Sequence, residues 1–158
     1  MGQDYGDRIS FRIVLYQPEI PANTGNIGRL CVGTNAELHI IKPMKFFIND
    51  KYLKRAGLDY WNKVKLFVHD DWNSFIEKYP DNTVFLVETC GENLYYNESY
   101  KQGDVFVFGS ETTGLPKDVL NKYKVVRIPM SEEIRSINMC NSVAIVLYEG
   151  MRQLISDN

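Results

Sequence analysis

Asn, Ser, Thr, Glu and Gly gather in three short stretches of this chain, each where an apolar run gives way to a helical pattern. The first is Leu15-Tyr-Gln-Pro-Glu-Ile-Pro-Ala-Asn-Thr-Gly-Asn-Ile-Gly-Arg-Leu-Cys31 and the second Asp104-Val-Phe-Val-Phe-Gly-Ser-Glu-Thr-Thr-Gly-Leu-Pro116. The third is Ile128-Pro-Met-Ser-Glu-Glu-Ile-Arg-Ser-Ile-Asn-Met-Cys-Asn-Ser-Val-Ala144. Such residues cap helices and offer neutral hydrogen bonds. Gly109 and Gly114 bracket the second loop and let backbone approach a ligand closely. A loop at the carboxyl end of a buried strand is where α/β proteins hold small molecules. One such segment also suits a plain strand-to-helix connection. Three of the same build point to a binding site.

The elements that must position these loops alternate along the chain. Strand patterns cover Phe11–Tyr16, Glu37–Ile41, Lys65–His69, Thr83–Glu88, Val105–Phe108 and Val125–Ile128. Helical patterns fall near Thr24–Val32, Asp50–Ala56, Trp72–Tyr79, Lys117–Lys122 and Asn138–Ile155. Alternation of this kind predicts an α/β fold, a mostly parallel sheet with helices on both faces. In the last helix Val143, Val146, Leu147, Met151 and Leu154 form a stripe that Ile145 and Tyr148 widen. That width suits the core, and it also suits a subunit interface with Tyr148 and Met151 as contacts.

The chain has 158 residues, 44% hydrophobic and 24% charged, which fits one soluble domain spanning 1–158. No run approaches the roughly 20 apolar residues a membrane helix needs. Residues 1–8 lack the regions of a signal peptide and read as a flexible tail. Met1-Gly2 invites a myristoylation reading, but Gly6 stands where Ser or Thr is required. Cys31, Cys90 and Cys140 are widely spaced and odd in number, which fits structural thiols in a reducing cytoplasm and no metal site. His39 and His69 sit beside strand patterns and read as packed or surface residues.

The net charge of −2 hides an asymmetry. Between Lys42 and Lys65, seven cations and two anions give +5, which leaves −7 for the rest. Phe46, Phe47, Tyr52, Tyr60 and Trp61 interleave with those cations. Clustered cations hold phosphate and rings stack on bases. A solvated helix face with anchoring aromatics has the same composition, so both readings stand on these residues.

In order along the chain, Glu19-Ile-Pro-Ala-Asn-Thr-Gly-Asn-Ile-Gly-Arg29, Arg55-Ala-Gly-Leu-Asp-Tyr60, Phe108-Gly-Ser-Glu-Thr-Thr-Gly-Leu-Pro116 and Arg135-Ser-Ile-Asn-Met-Cys-Asn141 carry a family resemblance. Leu147-Tyr-Glu149 follows them. From about Phe11 to Leu154 the chain closely resembles the small SPOUT-superfamily RNA ribose methyltransferases, specifically the bacterial tRNA wobble-nucleotide 2′-O-methyltransferases. The resemblance implies a C-terminal trefoil knot, S-adenosylmethionine as cofactor, and a homodimer acting on the tRNA anticodon stem-loop, on cytidine or modified uridine. It implies cofactor contacts at Val87, Gly109, Ile128, Ser136 and Asn141. The catalytic set it implies is Asn23, Arg29, Glu111, Ser136 and Asn138. A guanidinium is very hard to deprotonate, so Arg29 suits stabilisation of alkoxide charge, or a phosphate clamp, better than the role of a base. Glu111 would anchor Arg29 or orient the first loop, and Asn23 also suits a helix N-cap.

Two positions depart from the family. Thr113 stands where a basic residue is usual, and Cys140 replaces Ser. The first removes a cation that would meet RNA phosphate; the second is a small swap. A knotted RNA-binding module with weak catalysis is the alternative function, and strand alternation alone would also permit a flavodoxin-like mononucleotide-binding protein.

Overall fold

Four consecutive buried residues in each of Val84–Val87 (β4) and Val105–Phe108 (β6) are what a strand covered on both faces requires. The computed structural model describes residues 8–156 and pairs these strands in a seven-stranded sheet. The expected N-terminal tail, Arg8 excepted, and the myristoylation positions lie outside the described residues. The other strands are β1 (Arg12–Tyr16), β2 (Glu37–Ile41), β3 (Lys65–His69), β5 (Asn93–Leu94) and β7 (Lys124–Arg127). Their order is β3-β2-β1-β6-β4-β7-β5, and every pairing is parallel. The two-residue β5 at the edge carries no apolar pattern and was not expected from sequence.

Side-chain alternation along the strands sorts the core into two layers. Phe11, Ile13, Leu15, Phe85, Phe106 and Phe108 face the long helices α1 (Pro21–Thr34) and α5 (Met139–Ser156). Val14, Val84, Leu86, Val105 and Val107 face Phe75 of α3 (Trp72–Ile76) and Val119 of α4 (Lys117–Leu120). Helices therefore cover both faces. α5 lies close on the sheet because Gly150 has no side chain: a Cβ there would stand 2.7 Å from the Phe11 ring.

α1 starts at Pro21, three residues before the apolar pattern, because proline is preorganised for the first helical turn. Asn23 therefore lies inside the helix and does not cap it; the cap position is Ile20, with no side-chain bond. Met151 is also placed differently from the interface reading. It is 1% exposed within the chain's own core, whereas Tyr148 is 48% exposed. The helical period turns positions 147 and 151 inward and position 148 outward. No helix of the described residues is long and apolar enough to cross a membrane.

β1, β6, β4 and β7 lie side by side but far from chain order, so the loops leaving their carboxyl ends emerge together. Such a reversal of strand order opens a crevice above the sheet. All three polar segments leave from this edge.

Candidate active site

A cavity of about 490 Å³ occupies that crevice. Val87, Glu88 and Thr89 line it after β4, Phe108–Gly114 after β6, and Ile128, Met130 and Arg135–Met139 after β7. Ile20 and Asn23 close it from the first loop and α1. Of the residues singled out from sequence, Asn23, Val87, Gly109, Glu111, Ile128, Ser136 and Asn138 meet here. Arg29 and Asn141 do not line the cavity, and Ser142, one position beyond Asn141, does.

The β6 loop is folded tightly on itself. Gly114 N–H donates to the Ser110 carbonyl at 3.1 Å, and the Ser110 and Thr113 hydroxyls are 2.5 Å apart. Gly114 has φ +69°, a conformation that favours glycine. A Cβ on Gly109 would come within 2.5 Å of the Gly114 carbonyl carbon, so the two glycines cross in contact. Glu88 fastens the turn from below, where its Oε1 accepts from Leu115 N–H at 2.7 Å. Sequence reading missed Glu88, since a carboxylate ending a strand pattern carries no signal of its own. Arg135, which opens a family motif but was given no role of its own, is the cation on the cavity wall.

Glu111 holds the first loop. Its carboxylate accepts the Glu19 N–H at 3.1 and 3.2 Å and the Ile20 N–H at 2.5 Å. Glu19 answers in the opposite direction: its Oε1 accepts from the Thr112 N–H at 3.0 Å and from the Thr112 hydroxyl at 2.6 Å. Lys45 Nζ lies 2.9 Å from the other oxygen. The Thr112 hydroxyl foremost, then Lys45, holds the Glu19 carboxyl down to about 2. A carboxylate engaged by main-chain donors orients loops, and that is the geometry of Glu111.

At the other wall Asn138 donates to Asn23 Oδ1 at 3.4 Å, and its own Oδ1 accepts from Cys140 N–H at 2.7 Å. The Cys140 thiol reaches the Asn23 carbonyl at 3.4 Å, and burial pushes its pKa up. These contacts join α1 to the start of α5. Cys140 thus makes the small hydrogen-bonding contact that a hydroxyl in its place would make.

Arg29 projects elsewhere. Six residues beyond Asn23 is about 9 Å along the helix and about 240° around it. Its guanidinium carbon lies 5.6 Å from the centre of the Tyr60 ring, and the side chain is exposed. His39 and His69 are buried under α3, outside the cavity lining. His39 Nδ1 is 2.8 Å from His69 Nε2, and His39 Nε2 is 2.9 Å from Glu37. Among the described residues no group of three or more His, Cys, Asp or Glu side chains is placed to hold a metal ion.

A parallel sheet with a loop-lined cavity at its strand-order reversal defines an α/β protein that holds a small ligand through main-chain and neutral polar groups. The SpoU rRNA Methylase family matches residues 10–148, and the chain belongs to that family. The tRNA (cytidine(34)-2'-O)-methyltransferase of Methylovorus glucosotrophus is 46% identical over 146 residues, covering 90% of this chain and 95% of the relative. The solved structure reported as insights into the 2-OH methylation of C/U34 on tRNA superposes with a TM-score of 0.91 at 39% identity, over 96% of this chain and 99% of that one. The SpoU methyltransferase AviRb from Streptomyces viridochromogenes, solved with AdoMet, shares the fold at a TM-score of 0.85 and 20% identity, over 96% of this chain and 64% of its own.

Proposed function

We propose that this chain is an S-adenosylmethionine-dependent methyltransferase that modifies the ribose 2′-hydroxyl of the tRNA wobble nucleotide, cytidine or a modified uridine. The observation that carries the reading is the cavity itself, lined by the loops after β4, β6 and β7 and closed by the first loop, all within the span 10–148 that the family matches. The relative from Methylovorus and the structure concerned with C/U34 supply the substrate and the reaction.

The residues fit the cofactor. The volume lies within the range of small-molecule sites, and Val87, Phe108, Ile128 and Met130 offer apolar walls for a planar base. Gly109, Ser136 and Asn138 offer main-chain and neutral polar groups around them. The cofactor supplies a methyl group already activated on a sulfonium. The protein's task is to align the ribose hydroxyl with that methyl and to ease loss of its proton. Glu111 and Glu19 hold the loops that shape the acceptor side. Asn23 and Asn138 fix the facing wall.

Arg29 stabilises the forming alkoxide in this reading, and because it lies outside its own chain's cavity it serves the cavity of a second copy. The enzyme is accordingly a homodimer, with exposed Tyr148 on the shared face. The chain is one SPOUT domain acting in the cytoplasm, and its C-terminal part is knotted. The return of α5 across the sheet to α1, after the 128–138 segment has passed beside the β4 and β6 loops, supports the knot.

The test is to incubate the protein with tRNA and S-adenosylmethionine and to map the modified nucleotide. A single 2′-O-methyl group at the wobble position is expected. Tight cofactor binding with unmodified tRNA would replace this reading with the RNA-binding module.

A further inference from the structure

The basic segment between Lys42 and Lys65 divides into cations the fold uses and cations it leaves. Lys42 pairs with Asp70 at 3.0 Å, Lys45 with Glu19 at 2.9 Å, and Lys65 donates to Asn35 at 2.7 Å. Lys51, Lys54, Arg55, Lys63 and Arg29 form no ion pair with a carboxylate among the described residues. Arg29 and Lys63 neighbour the Tyr60 ring and Lys51 the Tyr52 ring, which are 42% and 52% exposed. Tyr60 is flanked twice, by the Arg29 guanidinium at 5.6 Å and by Lys63 Nζ at 6.0 Å from its ring centre.

This placement is built into the packing. Without a side chain on Gly28, the Trp61 ring seats on α1; a Cβ there would stand 2.5 Å from it. Gly25 in the same way admits the Leu53 carbonyl of α2 (Lys51–Gly57). Leu53 and Trp61 therefore anchor the segment, and Tyr60 is not needed for that purpose. A half-exposed aromatic ring with cations beside it suits a partner with a flat π-face and negative charge close beside it. Unpaired nucleotides have both, whereas bases in a duplex present only their edges. Asp59 is the one anion in the 58–63 turn, set against the cations around it.

We infer that Tyr60 is a stacking platform for an unpaired base of the RNA substrate, with Lys63 neutralising a phosphate of the same strand. The RNA's identity rests on the wobble-methylation reading; the contact does not.

The test measures equilibrium binding of a labelled anticodon stem-loop RNA, and of a fully paired duplex of the same length, to wild type, Y60F and Y60L. Melting curves and light scattering confirm fold and oligomeric state. Y60F is expected within about twofold of wild type, and Y60L roughly tenfold weaker on the stem-loop and unchanged on the duplex. Equal stem-loop affinity in Y60L overturns the inference. So does an equal loss on both RNAs, or a change of oligomeric state, which would make the ring a contact between copies. Wild type that binds the stem-loop through Tyr60 but transfers no methyl group would sink the wobble-methylation reading alone. Wild type that methylates while Y60L binds normally would sink this inference alone.

Discussion

Glu19 and Glu111 each hold the other's loop: Glu111 accepts the Glu19 and Ile20 N–H groups, and Glu19 accepts both donors of Thr112. The two loops are thereby clasped together, each by the other's carboxylate. Removing one leaves main-chain donors without partners, and hydrogen bonds to charged groups are worth about 1.5–3 kcal/mol. E111A is expected to weaken S-adenosylmethionine binding by roughly tenfold or more. Hydrogen exchange at Glu19 and Ile20 should accelerate in the same variant. Calorimetry showing wild-type affinity with unprotected amides would separate the clasp from the cofactor site.

Gly109→Val should abolish cofactor binding. The crossing with Gly114 at 2.5 Å means that the loop itself must open, beyond any direct obstruction of the ligand. A lower melting temperature is expected alongside the lost affinity. Undiminished calorimetric affinity would remove Gly109 from the site.

Arg29→Ala should lose most methyl transfer while cofactor affinity stays near normal, because Arg29 comes from α1 and not from the loops after β4, β6 and β7 that line the cavity. Stabilising a developing oxyanion is worth roughly 3–4 kcal/mol, a hundredfold or more in rate. Arg29→Lys should recover only part of it, since a point charge does not reproduce a guanidinium fork. Near-wild-type turnover of Arg29→Ala at saturating tRNA would rule the role out.

A charge at Tyr148 is expected to give monomers that bind cofactor but do not methylate. The same change at Met151 would instead disrupt the core, since that side chain is buried in its own subunit. Light scattering on Tyr148→Asp decides: a dimer of normal activity would move the shared surface elsewhere.

Burial, then the charges of His39 and Lys78, holds the His69 pKa down to about 4, and burial also lowers that of His39. The unfolded chain takes up protons near pH 6.5. Between roughly pH 6.5 and 4 the unfolded state therefore binds more protons than the native one, and stability falls as the pH drops through that window. Carboxylates held low, such as Glu19 and Glu37, add their loss only further down. His69→Gln should show a smaller fall in melting temperature between about pH 7 and pH 5 than wild type. Equal falls would clear the pair.

Six of the seven strands, the two-faced burial and the three polar loops were legible in the sequence, because apolar periodicity and turn chemistry are local properties. β2, β3 and β6 occupy the residues their patterns mark. The family resemblance likewise names Val87, Gly109, Glu111, Ile128, Ser136 and Asn138, which the fold gathers in one cavity. Strand order was not legible, since nothing local places β6 between β1 and β4, and that order is what brings the loops together. Long-range contacts decided the rest. Glu111 meets Glu19 across 92 positions, Glu88 meets Leu115 across 27, and Asn138 meets Asn23 across 115. The direction of a helical side chain is set by where its helix starts, so only the packed structure could turn Met151 into the core, place Asn23 inside α1, and point Arg29 at Tyr60 and away from the cavity beside it.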